Sequence, residues 1–239
     1  MRINWNMFKG VLLLGFVVFL YAFSSHKNNR RLVSKIAVQF TGSENVYITS
    51  EMVNKLLIQN QEELYNLPKD NLDLKEMERL LELDDMIKSA QVYLTVNGEV
   101  RAKVEQRRPI ARVQSGSIFY IDEDGLDMPL STQHSARVPL VTGEVEKDQL
   151  EAVYRMALKI DTDSFLKTYV TDIHQNETGS ISLRMRVLDF EIIVGRLDRL
   201  DEKMKNLKAF YQKAKKDKML DIYKSVNLQF KNQVVCTKK

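Results

Sequence analysis

Apolar residues are spread very unevenly along this 239-residue chain. Residues 11–23, VLLLGFVVFLYAF, carry no charge. Ile3, Trp5, Met7 and Phe8 extend the apolar character upstream, broken by Asn4, Asn6 and Lys9. A bilayer core needs about 20 mostly apolar helical residues at roughly 1.5 Å rise each. The uncharged run alone falls short, but residues 3–23 suffice if Lys9 snorkels to the interface. The pattern predicts one N-terminal membrane-spanning helix with a larger body behind it. A signal peptide's hydrophobic region is the competing reading, with Ala22-Phe23-Ser24 near a small-x-small cleavage site. A buried core helix is disfavoured because the run is apolar on every side.

Beyond a polar linker (SSHKNNRR) the periodicity changes. Ile36, Val38 and Phe40 alternate with Lys35, Ala37 and Gln39, a half-buried strand that ends at Thr41-Gly42. Thr49 caps a helix with Glu51 in its first turn and Met52, Val53, Leu56 and Leu57 as its stripe. Pro68 interrupts. Asp73 and Glu76 start a second helix, with Leu74, Met77, Leu80 and Leu81 inward. Two strands follow, through Ala90, Val92, Leu94 and Val96, then Val100, Ala102 and Val104. A two-residue Asn97-Gly98 turn would set Leu94 against Arg101. An odd connection is therefore expected, pairing Val96 with Val100, Leu94 with Ala102 and Val92 with Val104.

After Pro109, Ile110 to Val113 lead into a second region. A strand through Ile118 to Ile121 turns at Asp124-Gly125, and residues 139–143 are a short extended piece. Leu150, Val153, Tyr154, Ala157 and Leu158 stripe a helix. Strands are expected over residues 168–175, 180–187 and 190–195. A last helix is marked by Leu200, Met204, Leu207, Tyr211 and Ala214. Residues 223–230 and 233–237 close the chain as a strand pair.

Composition narrows the function. At 44% hydrophobic and 28% charged, the chain can bury a core, and a net charge of +4 falls far short of a nucleic-acid binder. One cysteine, Cys236, excludes a disulfide framework within the chain. His26, His134 and His174 stand far apart, without metal-ligand spacing. No nucleophile elbow and no Gly-rich phosphate loop occurs. Asp122, Asp124 and Asp127 miss the calcium-loop pattern, because Leu126 and Asp127 stand where an oxygen ligand and a glycine belong. They read as a hairpin turn. The lysines of the last helix (Lys203, Lys205, Lys208, Lys213, Lys215, Lys216 and Lys218) read as a solvated face. No catalytic residue, metal or cofactor is assigned.

What remains is a binding surface. Val226, Leu228 and Phe230 alternate as a core face, which Val234 and Cys236 join if the connection is odd, leaving Val235 on the other side. A terminal strand of this kind belongs at a sheet edge, where a partner can add a strand. An ordinary closing strand blunted by Lys238 and Lys239 is the equal alternative.

The order of elements resembles the bacterial cell-division family FtsQ/DivIB. Val104-Glu105-Gln106-Arg107-Arg108-Pro109-Ile110-Ala111 is similar to the family's V-x-E-x-x-P-I-A junction. Phe119-Tyr120-Ile121-Asp122 followed by Asp124-Gly125 looks like its next strand and turn. Val226-Asn227-Leu228-Gln229-Phe230 resembles its final V-D-L-R-Y strand, with departures at Asn227, Gln229 and Phe230. The fold this implies is α+β: an N-terminal transmembrane helix, a POTRA domain (β-α-α-β-β), then a mixed β-sheet domain with helices packed on it. The expected layout is a cytoplasmic tail at 1–7, a transmembrane helix at 8–24, a linker at 25–34, the POTRA domain at 35–110 and the β domain at 111–239.

The implied function is a non-enzymatic divisome scaffold that binds FtsB-like and FtsL-like membrane proteins. It would help recruit and regulate septal peptidoglycan synthases, alongside other divisome proteins. By the resemblance, Gln229, Phe230, Asn232, Gln233, Val234, Val235, Cys236 and Thr237 form the FtsB-like strand-addition site. Val100, Lys103, Glu105 and Arg107 form a second contact on the POTRA domain. The body would lie in the periplasm, anchored in the inner membrane and enriched at the septum. Lys27, Arg30 and Arg31 after the apolar run outweigh Arg2 and Lys9 before it, against that orientation, but long domains translocate largely regardless of charge. A POTRA-bearing assembly or secretion factor and a membrane-anchored cell-wall enzyme are the alternatives. The first usually carries several POTRA units and a barrel, absent from this pattern; the second needs converging acids in a cleft.

Overall fold

The structure is a computed structural model and describes residues 5–29, 35–42, 46–59, 72–147, 149–186 and 188–239. Arg2, Ile3, Asn4, Arg30, Arg31, Pro68 and Val187, which figure in the sequence reading, lie outside the described residues. The chain divides into two units, Met1–Gln106 and Arg107–Lys239.

The first unit begins with helix α1, Trp5–Asn29, which continues through Ser24 to Asn29 rather than stopping at the polar linker. Its apolar side chains from Val11 to Phe23 are exposed all round. Among the described residues no helix is long and apolar enough to cross a membrane. The described side chains of α1 cover residues 9–24, roughly 24 Å at 1.5 Å each, against a hydrocarbon core of about 30 Å.

Then follow β1 (Lys35–Thr41), α2 (Ser50–Gln59), α3 (Leu74–Glu82), β2 (Ile87–Leu94) and β3 (Glu99–Gln106). The sheet order is β1-β3-β2, with β1 parallel and β2 antiparallel to the central β3. Both helix starts are capped as their residues dictate: Met52 N donates to Thr49 Oγ1 at 3.3 Å and Glu76 N to Asp73 Oδ1 at 3.0 Å. Glu76 does not complete a capping box; it holds Arg79 instead. Val53, Leu57, Met77 and Leu81 face inward onto Ile36, Ala90, Val92, Val100, Ala102 and Val104. Met52 departs from the expected stripe and is exposed.

The β2–β3 connection is odd, but the pairing is Leu94↔Val100, Val92↔Ala102 and Ala90↔Val104, two residues from the expected register. The loop is Val96-Asn97-Gly98, closed by Thr95 N to Glu99 O at 2.9 Å, with Gly98 at φ +89. A three-residue hairpin places its left-handed residue last, where glycine carries no steric cost. Val96 is therefore the tip, 81% exposed, rather than a partner of Val100.

The second unit is a nine-stranded mixed sheet in the order β12-β11-β10-β9-β8-β7-β4-β5-β6. In chain order these are β4 (Pro109–Ser115), β5 (Ser117–Asp122), β6 (Asp127–Met128), β7 (Leu140–Gly143), β8 (Val170–Gln175), β9 (Ile181–Met185), β10 (Glu191–Gly195), β11 (Tyr223–Asn227) and β12 (Val235–Lys238). Its helices are α4 (Glu151–Thr162), α5 (Ser164–Tyr169) and α6 (Leu200–Lys216). Helices α4 and α5 bridge parallel β7 and β8, and α6 bridges parallel β10 and β11, the crossover that parallel strands require. Val153, Met156, Ala157 and Ile160 of α4 and Met204 and Leu207 of α6 share one core with Val113, Val141, Ile173, Leu183, Ile192, Val194 and Val226 of the sheet.

Helix α5 corrects the reading of residues 168–175 as all strand. Asp163 Oδ1 accepts from the backbone N–H groups of Phe165 and Leu166, and this cap outweighs the β propensity of Thr168 and Tyr169. Lys203 is a second correction. It is buried, with Nζ donating to Arg196 O at 2.5 Å and to Asp198 Oδ1 at 3.1 Å, so it belongs to the helix start and not to the solvated face.

Candidate functional site

Two parts of the second unit matter for binding: the clamp that starts it and the strand that ends it. At the start, Arg107 and Arg108 precede Pro109, and Pro109 is in register with Asp122 on β5. Asp122 is fully buried. Its carboxylate accepts from Arg107 Nη1 at 2.7 Å, Asp124 N at 3.0 Å and Leu126 N at 2.8 Å. Arg108 donates to Glu123 at 3.0 Å and grips both oxygens of Asp161, at 3.1 and 2.8 Å. These partners raise the Arg108 pKa further. The Arg108 fork, opposed by desolvation and aided by Lys167, holds the Asp161 carboxyl below its usual range. The Asp122–Asp127 stretch is thus a turn built on a buried carboxylate. Among the described residues no group of three or more His, Cys, Asp or Glu side chains could hold a metal ion.

At the other end, β12 pairs antiparallel with β11 through Val226↔Cys236 and Asn227↔Val235 and is the last strand of its sheet. Asn227 ends β11: Gln229 N donates to Asn227 Oδ1 at 2.9 Å, and Asn227 Nδ2 donates back to Gln229 Oε1 at 3.2 Å. Leu228 stays buried and donates to Ile193 O at 2.9 Å. Phe230 does not continue the core face as expected; it is 46% exposed, because the Asn227 turn breaks the period of two. Asn232, at φ +58, completes the reversal.

Val234 and Cys236 then pack half-buried against the core, and burial pushes the Cys236 thiol up. Val235 points to the opposite face, 41% exposed. Beneath the turn, Gly195 has φ +74, and a Cβ there would come 2.5 Å from Gln229 Nε2, so the glycine is what seats Gln229.

Lys239 N donates to Ile222 O at 2.9 Å. Alternation along the strand then turns the N–H and C=O groups of Cys236 and Lys238 away from β11. Among the described residues no strand or side chain meets that outer edge. Of the residues expected to bind an FtsB-like partner, Gln229, Phe230, Asn232, Gln233, Val235 and Thr237 are exposed, while Val234 and Cys236 are half-buried. All sit on β12 or the turn that delivers it.

The four expected POTRA residues differ in their surroundings. Val100 is fully buried under the sheet. Lys103 is exposed, and Glu105 accepts from Ser89 Oγ at 3.1 Å on the same outer face. Both lie on the central strand, whose backbone is used on each side by β1 and β2. Arg107 lies in the second unit, held by Asp122.

The chain thus combines a β-α-α-β-β domain with a mixed sheet that ends in β12. A family model described as FtsQ/DivIB, C-terminal related, matches residues 108–237, and one described as a POTRA-like domain matches residues 33–105. The first covers more than half of the chain, and the protein belongs to the FtsQ/DivIB family of non-enzymatic cell-division scaffolds. No curated protein matches the chain.

Proposed function

We propose that the protein is a membrane-anchored scaffold of the division machinery that receives a β-strand from an FtsB-like partner on β12. The observation that carries this reading is the open outer edge of β12, at one end of the nine-stranded sheet; the strand at the other end, β6, has only two residues. The edge offers two N–H and two C=O groups. At a net of about 1 kcal/mol per hydrogen bond, these supply roughly 4 kcal/mol, half of what micromolar binding requires. Apolar contact with Val235 and Phe230 supplies more, and Lys231 and Lys238 beside them favour an acidic or neutral partner strand. An FtsL-like protein and septal peptidoglycan synthases join through that partner.

Helix α1 is the anchor in this account, with its uncharged run inside the bilayer and Lys9 at the interface. The tail at 1–7 is cytoplasmic, the helix occupies 8–24 with polar residues after it, and the domains at 35–110 and 111–239 lie outside the inner membrane at the septum. Alkaline phosphatase fused to the C-terminus is active in this topology; an inactive fusion that is stably made rejects it. Copurification of the tagged full-length chain from membranes tests the scaffold role. Two small coiled-coil membrane proteins should accompany it, and their absence from a preparation that retains other membrane partners counts against the reading.

A further inference from the structure

Strand β2 lies at the outside of the β1-β3-β2 sheet. Such an edge offers its outward amides to any extended chain, including the same edge of another molecule. Lys88, at the start of β2, is its one charged residue; residues 89–94, SAQVYL, contain no charge, and an uncharged, β-prone hexad is the composition that pairs with itself. Two of its outward donors are nevertheless occupied. Val92 N donates to Glu78 Oε1 at 2.7 Å, and Ala90 N to Glu82 Oε1 at 3.4 Å.

The spacing explains why two glutamates on one helix can do this. Residues four apart on α3 are about 6 Å apart along its axis, and N–H groups two residues apart on a strand are separated by about 6.8 Å. The earlier glutamate meets the later strand residue, so α3 runs antiparallel to β2. Met77 and Leu81, each beside one of the two glutamates, are fully buried and set the helix in place without them.

We infer that Glu78 and Glu82 close the β2 edge against a second copy of this chain. They fill two of its donors and place two negative charges along it, so that two copies cannot pair edge to edge. Among the described residues no comparable carboxylate hydrogen-bonds to the backbone of β12. The inference stands on the first unit alone and does not depend on the reading of β12.

The test uses the full chain in detergent micelles, in a Cys236→Ser background carrying Gln91→Cys, since Gln91 lies exposed on β2. Glu78→Ala with Glu82→Ala should speed amide exchange at Val92 by roughly tenfold, as expected for losing one charge-assisted hydrogen bond, and should give dimers cross-linked through position 91. Glu78→Gln with Glu82→Gln keeps an acceptor oxygen at each site but loses the charges, and should fall between the parent and the alanine variant in both readouts. Unchanged exchange at Val92 without cross-linking overturns the inference, and so does equal cross-linking in all three proteins. Loss of amide protection in α3 of the alanine variant also overturns it, because Met77 and Leu81 are held to be sufficient for packing.

Discussion

Replacing Asp122 by alanine removes one carboxylate and disturbs three donors at once. Asp122 is fully buried, and its oxygens take Arg107 Nη1 at 2.7 Å, Asp124 N at 3.0 Å and Leu126 N at 2.8 Å. Each amide left without an acceptor costs about 1–3 kcal/mol, and stranding one partner of a buried ion pair costs about 3–5 kcal/mol. The Arg107 side chain is 18% exposed and recovers some hydration, and the turn amides can reach water, so the sum falls well below the simple total. A loss of about 3–4 kcal/mol is the expected result. Asp122→Asn keeps an acceptor for the turn but loses the charge, and should cost about 1–2 kcal/mol. Amide exchange in β4 and β5 of the full chain, read across a urea series, gives both values as local opening free energies. A loss below 1 kcal/mol for the alanine variant, or equal losses for the two, would refute the claim that this carboxylate organises the β4–β5 junction.

Acid should act through Asp161 as well. Its folded pKa lies below the usual carboxylate value, so its pairing contributes stability that is fully present above about pH 4 and is lost as pH falls through the folded pKa. Thermal melts from pH 6 to 3 should show Asp161→Asn less stable than the parent at pH 6 by about 1–2 kcal/mol, with the gap closing toward pH 3. A gap that is constant with pH would contradict this linkage.

The recurring motif at the junction now has a physical meaning. Glu105 to Ala111 and Tyr120 to Asp122 look like separate signatures in the sequence. In the fold they are one clamp, because Arg107 meets Asp122 and Arg108 meets Glu123 across β4 and β5. Which arginine would meet which acid was not legible, since that depends on a register set by a bulge between Pro109 and Ala111.

Elements governed by local chemistry were legible. The caps at Thr49 and Asp73, the alternation in β1 and the odd parity of the β2–β3 hairpin all follow from neighbouring residues. Features that depend on loop length or tertiary partners were not. Asn97-Gly98 marks where a left-handed residue sits, but the loop begins one residue earlier, at Val96. Phe230 follows the period of two on paper, and the Asn227 side chain ends the strand before it. Nothing in the sequence singles out Glu78 and Glu82; their role depends on β2 lying beside α3. The β12 edge was legible in outline, because the alternation of residues 226–236 marks a closing strand pair. The seating of Gln229 on Gly195 needed the fold.

The strand-addition account rests on β12, and Val235 tests it most directly. The side chain points away from the core and Val226 pairs with its neighbour Cys236, so Val235→Lys should leave the far-UV spectrum and the melting temperature essentially unchanged. Affinity of the full-length chain for an FtsB-like partner, measured by titration in detergent, should fall at least tenfold as an apolar contact is replaced by a charge that must be desolvated. An unchanged affinity in a folded Val235→Lys protein would contradict the account.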